Sequence, residues 1–403
     1  MMESQEVREP YNFEREYEDL LRRKPAIAGF KECKLSALPV DHPMRDLRNV
    51  EAYIEKSWAD TYKDEKNKPI DRFCYSAGYL QWLLSSPPGV HDRIHVIINP
   101  SNNDIIGLAY GVPRNIRSDN STFQTVIATG LSVSPAYKGI GVAQLMNVHS
   151  KNIIFRQNGN NPYFAWWDDA LNRNGHSLEI FRQHDPTFDF IGKFPLLAKF
   201  FDFETAFSVL ALPYYQKALM RIMFRGRKDG KSLVKPMSET EAEKFYDIFL
   251  RAPNEKKAIE RRWSKEGFVK EATFKNPYDG DPFKPMYFAF YKNSDIVGGI
   301  LGYRFPVTQV KRADFMFTDH LFYRDALSMA ERKGFLQSTE TIAKEQYGVF
   351  GSLYLGGFDN SEVFKSLNHL PTFPRVRSLV MGLSSPSGLS RIFKPGDVFI
   401  DHH

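Results

Sequence analysis

Spacing of apolar residues divides the chain into two stretches that repeat the same order of elements. In the first, Leu47, Val50, Tyr53, Ile54 and Trp58 recur at helical intervals and predict a helix over 44–64. A second apolar run, 75–85, predicts a helix stopped by Pro87, Pro88 and Gly89. Residues 94–98 and 104–111 read as strands around a polar turn, so they predict a hairpin. A strand over 123–133 follows, then a glycine-bearing turn that opens a helix over 139–156. A short strand over 163–167 and a short helix over 174–184 complete the set.

The hairpin pattern returns at 287–303. The string D-I-[IV]-G-x-x-x-G starts once at Asp104 and again at Asp295. A helix over 323–346, a strand over 349–358, a helix over 360–367 and a strand over 376–383 come after it. Such self-similarity predicts two copies of one module. The expected division is a charged arm over 1–27, a first domain over 28–220, a basic linker over 221–236 and a second domain over 237–403. The linker carries Arg221, Arg225, Arg227, Lys228, Lys231 and Lys235 against Asp229. No aromatic residues alternate with these charges, so it reads as a solvated connector rather than a nucleic-acid surface.

Composition narrows the class. Of 403 residues 42% are hydrophobic and 25% charged, which excludes a disordered chain. The 33 Phe and 19 Tyr point to Phe-rich cores or an apolar channel. A net charge of +6 suits an anionic ligand. Cys33 and Cys74 make neither a disulfide framework nor a zinc cluster, and the histidines show no metal-ligand spacing, so no metal is expected. No apolar run approaches about 20 residues and the first residues lack a signal peptide's apolar stretch. The expectation is a cytoplasmic, soluble protein without a membrane span.

The chemistry concentrates in 131–146. A strand ends near Val133, Pro135 breaks it, and Lys138-Gly139-Ile140-Gly141-Val142-Ala143 leads into a helix. Unpaired N–H groups and partial positive charge at a helix start hold phosphate, and glycines let the backbone come close. Lys138 adds a full charge at the entrance. The turn is neither a P-loop nor a dinucleotide fingerprint.

The turn resembles the acyl-CoA diphosphate loop of the GNAT superfamily, [QR]-x-x-G-x-[GA] after L-x-V-x-P. Leu131, Val133 and Pro135 precede it here, and Lys138 opens it. Asn174 and Ser177 resemble the family's N-x-x-[AS] positions beside the CoA arm, while Phe181 stands where a proton-donating tyrosine is usual. Residues 73–146 are also similar to eukaryotic N-myristoyltransferases, which are two fused GNAT modules. The likeness runs through Phe73-Cys74-Tyr75-Ser76, Leu80-Gln81-Trp82-Leu83-Leu84, Pro87-Pro88-Gly89 and Gly111-Val112-Pro113-Arg114-Asn115-Ile116.

The resemblance implies an α/β (α+β) fold of two tandem, mixed, mainly antiparallel sheets flanked by helices, the second degenerate. It implies an N-acyltransferase that moves an acyl group, acetyl first in expectation, from acyl-CoA to an amine acceptor by direct attack. Cofactor contacts fall to Leu131, Val133, Lys138, Gly139, Gly141, Val142, Ala143, Asn174 and Ser177. The N–H near Val133 is the expected oxyanion donor. Asp168, with Asp169 beside it, is the candidate base, and His184 the candidate acid in place of Phe181. His149 reads as a surface residue. The aromatics of 163–167 read as core. The second copy has no G-x-G near 318–325, so it is expected to complete the cleft without binding CoA. A long-chain, myristoyl-type protein N-acyltransferase and a non-catalytic acyl-CoA-binding or interaction protein are the competing readings.

Overall fold

A computed structural model describes residues 11–63, 72–85, 89–118, 121–157, 163–168, 188–201, 232–255, 257–308, 311–356, 361–371, 378–384 and 398–399, with positions 67, 69, 70, 214 and 218. In the first half α1 (Phe13–Arg23), β1 (Lys31–Lys34), α2 (Leu47–Thr61), β2 (Arg72–Phe73) and α3 (Ala77–Leu84) come first. Next are β3 (Ile94–Asn99), β4 (Asp104–Ser118), β5 (Ser121–Val133), α4 (Val142–Gln157), β6 (Tyr163–Asp168) and β7 (Phe188–Phe200). The second half holds β8 (Leu233–Pro236), α5 (Glu239–Phe245), β9 (Ile259–Arg262), α6 (Lys265–Ala272), β10 (Lys284–Pro285), β11 (Phe288–Lys292) and β12 (Asp295–Thr308). It continues with β13 (Arg312–Tyr323), α7 (Met329–Tyr347), β14 (Gly351–Leu355), β15 (Leu370–Pro371), β16 (Ser378–Ser384) and β17 (Val398–Phe399).

The repeated string marks equivalent places. β3 and β4 form one antiparallel hairpin, β11 and β12 the other, and Asp104 and Asp295 each open the returning strand. Positive-φ asparagines make the turns, Asn103 at 59° and Asn293 at 51°, a conformation asparagine tolerates better than most residues. In each half the next strand pairs antiparallel, a helix follows, and the strand after it runs parallel: β5 with β6, β13 with β14. Ser328 and Glu331 form a capping box that starts α7.

The halves exchange strands. β16 lies between β6 and β7 of the first half, while β7 continues across to pair with β14 of the second. β9 pairs with the far end of β4, and β2 with β12. The described strands therefore join into one curled mixed sheet, and one apolar core runs through both halves. The last residues of the basic stretch are not a loose connector: Leu233–Pro236 is a strand on β11, with Val234 buried.

α1 packs on α4. Leu20, Val142, Leu145 and Met146 form an apolar cluster there with Ile97 and Ile106 beneath. The fully buried Lys151 ammonium meets the Glu16 carboxylate across the same contact. The charged amino-terminal stretch thus includes a helix fixed against the one that follows the glycine turn.

Candidate functional site

The site begins with a bulge. Leu108 pairs with Ser132 and Tyr110 with Thr129, so Gly130 and Leu131 together oppose the single residue Ala109. Gly130 has φ of +68°, and a Cβ there would stand 1.9 Å from the Tyr110 ring, so only glycine fits. Past this point β5 parts from β6, whose pairing is limited to Ile127–Phe164 and Ala128–Ala165. Ser134 N donates to Ile106 O of β4 at 2.9 Å. Because successive N–H groups of a strand point to opposite edges, the Val133 N–H faces the gap that β6 leaves. The Leu131 carbonyl accepts from Trp58 Nε1 of α2 at 3.2 Å.

The turn follows directly. Pro135–Tyr137 makes one tight helical turn, Gly139 and Gly141 take φ of +80° and +113°, and α4 starts at Val142. Leu145 N donates to Gly141 O at 3.0 Å, and among the described residues the N–H groups of 139–144 have no acceptor. Ala143 is exposed and Val142 buried, so the first turn of α4 has one open face.

Lys138 does not point into this cradle. Its Nζ donates to Asp60 Oδ2 and Thr61 Oγ1, both at 2.7 Å, and to Ser57 O at 3.3 Å, so it ties the end of α2 to the turn. Hydrogen bonds from Lys138 and Lys63 hold the Asp60 carboxyl below its ordinary range. Lys24, just past α1, takes the place beside the cradle: its Cγ and Cβ lie 3.0 and 3.1 Å from where a Gly141 Cβ would stand. Among the described residues the Lys24 ammonium has no hydrogen bond or ion pair. Its separation from Gly141 in sequence hides this contact, which the packing of α1 on α4 creates.

A cavity of about 350 Å³ opens from the parted strands and runs beneath α4. Small residues of the sheet, Ala109, Gly111, Ala128 and Ala165, line one side, and Met146, Ser150, Ile153 and Ile154 of α4 the other. Gly130, Leu131 and Trp166 stand at the gap, while Lys34, Asp92, Arg93 and His95 stand at the β1–β3 side. Tyr110 also lines it. Its phenol is buried with no hydrogen-bond partner among the described residues, and burial, with Tyr75 nearby, pushes it well above its ordinary pKa. It stays protonated and free to donate.

Asp168 ends β6 with its backbone opposite Leu379; its side chain, and Asp169, Asn174, Ser177, Phe181 and His184, lie outside the described residues. His149 is not a surface residue. Phe13 and Tyr17 of α1 pack against it, tilted and edge-on, with ring centroids at 5.6 and 5.5 Å, and burial pushes its imidazole below the ordinary value. Trp166 packs in the core against Phe194, 5.3 Å between centroids. Among the described residues no three His, Cys, Asp or Glu side chains converge, and no helix is long and apolar enough to cross a membrane.

No protein-family model matches the chain, and no curated protein matches it in sequence. Solved structures do. Saccharomyces cerevisiae N-myristoyltransferase with bound myristoyl-CoA aligns at 14% identity and a TM-score of 0.67, covering 93% of this chain and 89% of that one. A second structure of the yeast enzyme with myristoyl-CoA aligns at 13% identity and 0.67, covering 93% and 85%. A GCN5-related N-acetyltransferase from Sphaerobacter thermophilus aligns at 10% identity and 0.50, covering 91% and 99%. At these identities the likeness is one of fold: the chain shares the fold of these N-acyltransferase structures, and the yeast N-myristoyltransferase matches it along nearly its whole length.

Proposed function

We propose that the protein is an acyl-CoA-dependent N-acyltransferase whose acyl group is longer than acetyl. The observation that carries this reading is the continuity of three features: open amides at a helix start, a gap between parted strands, and an apolar cavity behind the gap. The diphosphate of CoA sits on the N–H groups of 139–144, with Lys24 beside it. Lys138 acts indirectly, by holding the turn to α2. Pantetheine enters between β5 and β6, and the resemblance to the N-x-x-[AS] positions assigns Asn174 and Ser177 to its binding. The thioester carbonyl takes hydrogen bonds from Val133 N–H and the Tyr110 phenol, donors fixed before the reaction begins.

The amine, kept neutral by Asp168 as base, attacks the carbonyl carbon. The tetrahedral oxyanion collapses, the C–S bond breaks, and the CoA thiolate takes a proton from His184 or water. No covalent enzyme intermediate is needed. The second module, which lacks the glycine turn, completes the acceptor side.

Sequence alone puts acetyl first. The cavity argues for more: at roughly 30 Å³ for a group the size of one liquid water, its 350 Å³ hold about twelve methylenes. The yeast N-myristoyltransferase structures with bound myristoyl-CoA support the same direction. The test is thiol release from acyl-CoA thioesters of increasing length against a panel of pooled amines. Amine-dependent release that improves with chain length is expected. Tight acyl-CoA binding with no release on any amine would favour a binding protein instead.

A further inference from the structure

Between the bulge and Pro135 the end of β5 is held by the sheet on one edge only. Ser132 and Val133 pair with Leu108 and Gly107 of β4, and Ser134 N donates to Ile106 O. The opposite edge has lost β6, whose pairing with β5 ends at Ala128. Residues two apart in a strand use the same edge, so the Leu131 carbonyl leaves β5 on the side where the Val133 N–H emerges. A bulge disrupts the ladder and bends its strand, so the direction of that N–H needs support from outside the sheet.

Trp58, in the last turn of α2, supplies it. Its indole N–H donates to the Leu131 carbonyl at 3.2 Å, and the residue is half-buried. The same ring stands edge-on to Tyr75, with 5.0 Å between centroids, and Tyr75 stands edge-on to Tyr110 at 6.3 Å. Tyr110 in turn closes on Gly130, where a Cβ would meet its ring. One side chain therefore reaches the strand that carries the Val133 N–H and, through one intervening ring, the Tyr110 phenol. Lys138 ties the glycine turn to Ser57, Asp60 and Thr61 of the same helix, so Trp58 acts from an element already fixed to the site.

A bare carbonyl on this edge would set its negative end beside the oxyanion that forms in the gap, and a rotated peptide would turn the Val133 N–H away from it. The indole N–H opposes both. We propose that Trp58 is a positioning residue for acyl transfer: its hydrogen bond to Leu131 fixes the open edge of β5 so that the Val133 N–H and the Tyr110 phenol converge on the thioester oxygen. Trp58 itself touches none of the reacting atoms. The proposal rests on the acyl-CoA reading above.

Isotope-edited infrared spectra of decanoyl-CoA with a labelled carbonyl, bound to the full chain without an amine, test it. Hydrogen bonds from both donors polarise the thioester, so wild-type binding lowers its C=O stretching frequency below the value in an apolar solvent. Trp58→Phe keeps a ring against Tyr75 and loses the N–H; it moves the band back toward that value while calorimetric affinity for decanoyl-CoA stays. Trp58→benzothienylalanine keeps the indole shape and lacks only the N–H, so its band answers even where the Phe variant does not fold. A band unmoved by these replacements overturns the proposal. So does a band that moves only together with a collapse of CoA binding, the mark of a merely structural role. A wild-type band already at the apolar-solvent value overturns the oxyanion assignment and this inference with it. If decanoyl-CoA does not bind at all, the acyltransferase reading falls too.

Discussion

Chain length is the perturbation that reads the cavity most directly. Burying one methylene stabilises a complex by about 0.8 kcal/mol, or about fourfold in affinity. Between hexanoyl-CoA and decanoyl-CoA this amounts to about 3 kcal/mol, or about two hundredfold. The gain stops once the 350 Å³ are filled, near about twelve carbons. Ala109, on β4 between the gap and β3, stands further along the lining. Ala109→Leu adds three carbons' worth of side chain, so the break moves to chains about three carbons shorter. Acetyl-CoA, which does not reach that far, binds as before. Calorimetric titration of non-hydrolysable thioethers measures both curves. A series flat from acetyl to decanoyl refutes the reasoning, and so does an Ala109→Leu variant that weakens every length equally.

Other outcomes follow from the geometry. Lys24→Ala weakens CoA binding by about 1–2 kcal/mol, and by more than Lys138→Ala, because Lys138 is committed to Asp60 and Thr61. Equal effects of the two substitutions in calorimetry would return the phosphate role to Lys138. Tyr110→Phe lowers kcat by about a hundredfold with acyl-CoA affinity retained, since only the reacting oxygen gains from the phenol; an unchanged kcat removes Tyr110 from the mechanism. His369, buried with Ser352 Oγ at 2.6 Å from Nε2, is held well below its usual 6.5 by burial and by the Lys199 ammonium. The folded chain excludes a proton that the unfolded chain takes up near pH 6.5, so this contribution is complete above that pH. It is lost below it, by up to about 1.4 kcal/mol per pH unit. Denaturant unfolding between pH 7.5 and 5.5, before most carboxylates titrate, should register the decline, and stability flat over that window contradicts it.

Much of the local structure is legible in the chain because it is decided locally. Leu47, Val50 and Ile54 share a helical face and are buried on α2, and Asp46 caps the helix by accepting from Arg48 N. The two D-I-[IV]-G strings mark the two hairpins because each needs the same turn before a returning strand. The glycine turn is visible because few residues adopt φ of +80° or +113°. Gly130 is open to the same argument, a glycine inside a strand pattern being a signal for a bulge. What the chain conceals is contact between distant segments. Nothing near Lys24 points to Gly141, nothing near Lys138 points to Asp60, and nothing near His149 points to Phe13 and Tyr17. The exchange of β7 and β16 is likewise a pairing across the whole sequence, set by the sheet that both halves share.

The central claim is that the amides of 139–144 hold a diphosphate at the head of α4. Calorimetric titration of the wild-type chain with CoA and with pantetheine, which lacks the diphosphate, addresses it without any substitution. The account predicts that CoA binds at least about a hundredfold tighter, the worth of two charge-assisted contacts. Equal affinities, or no CoA binding at all, would contradict it.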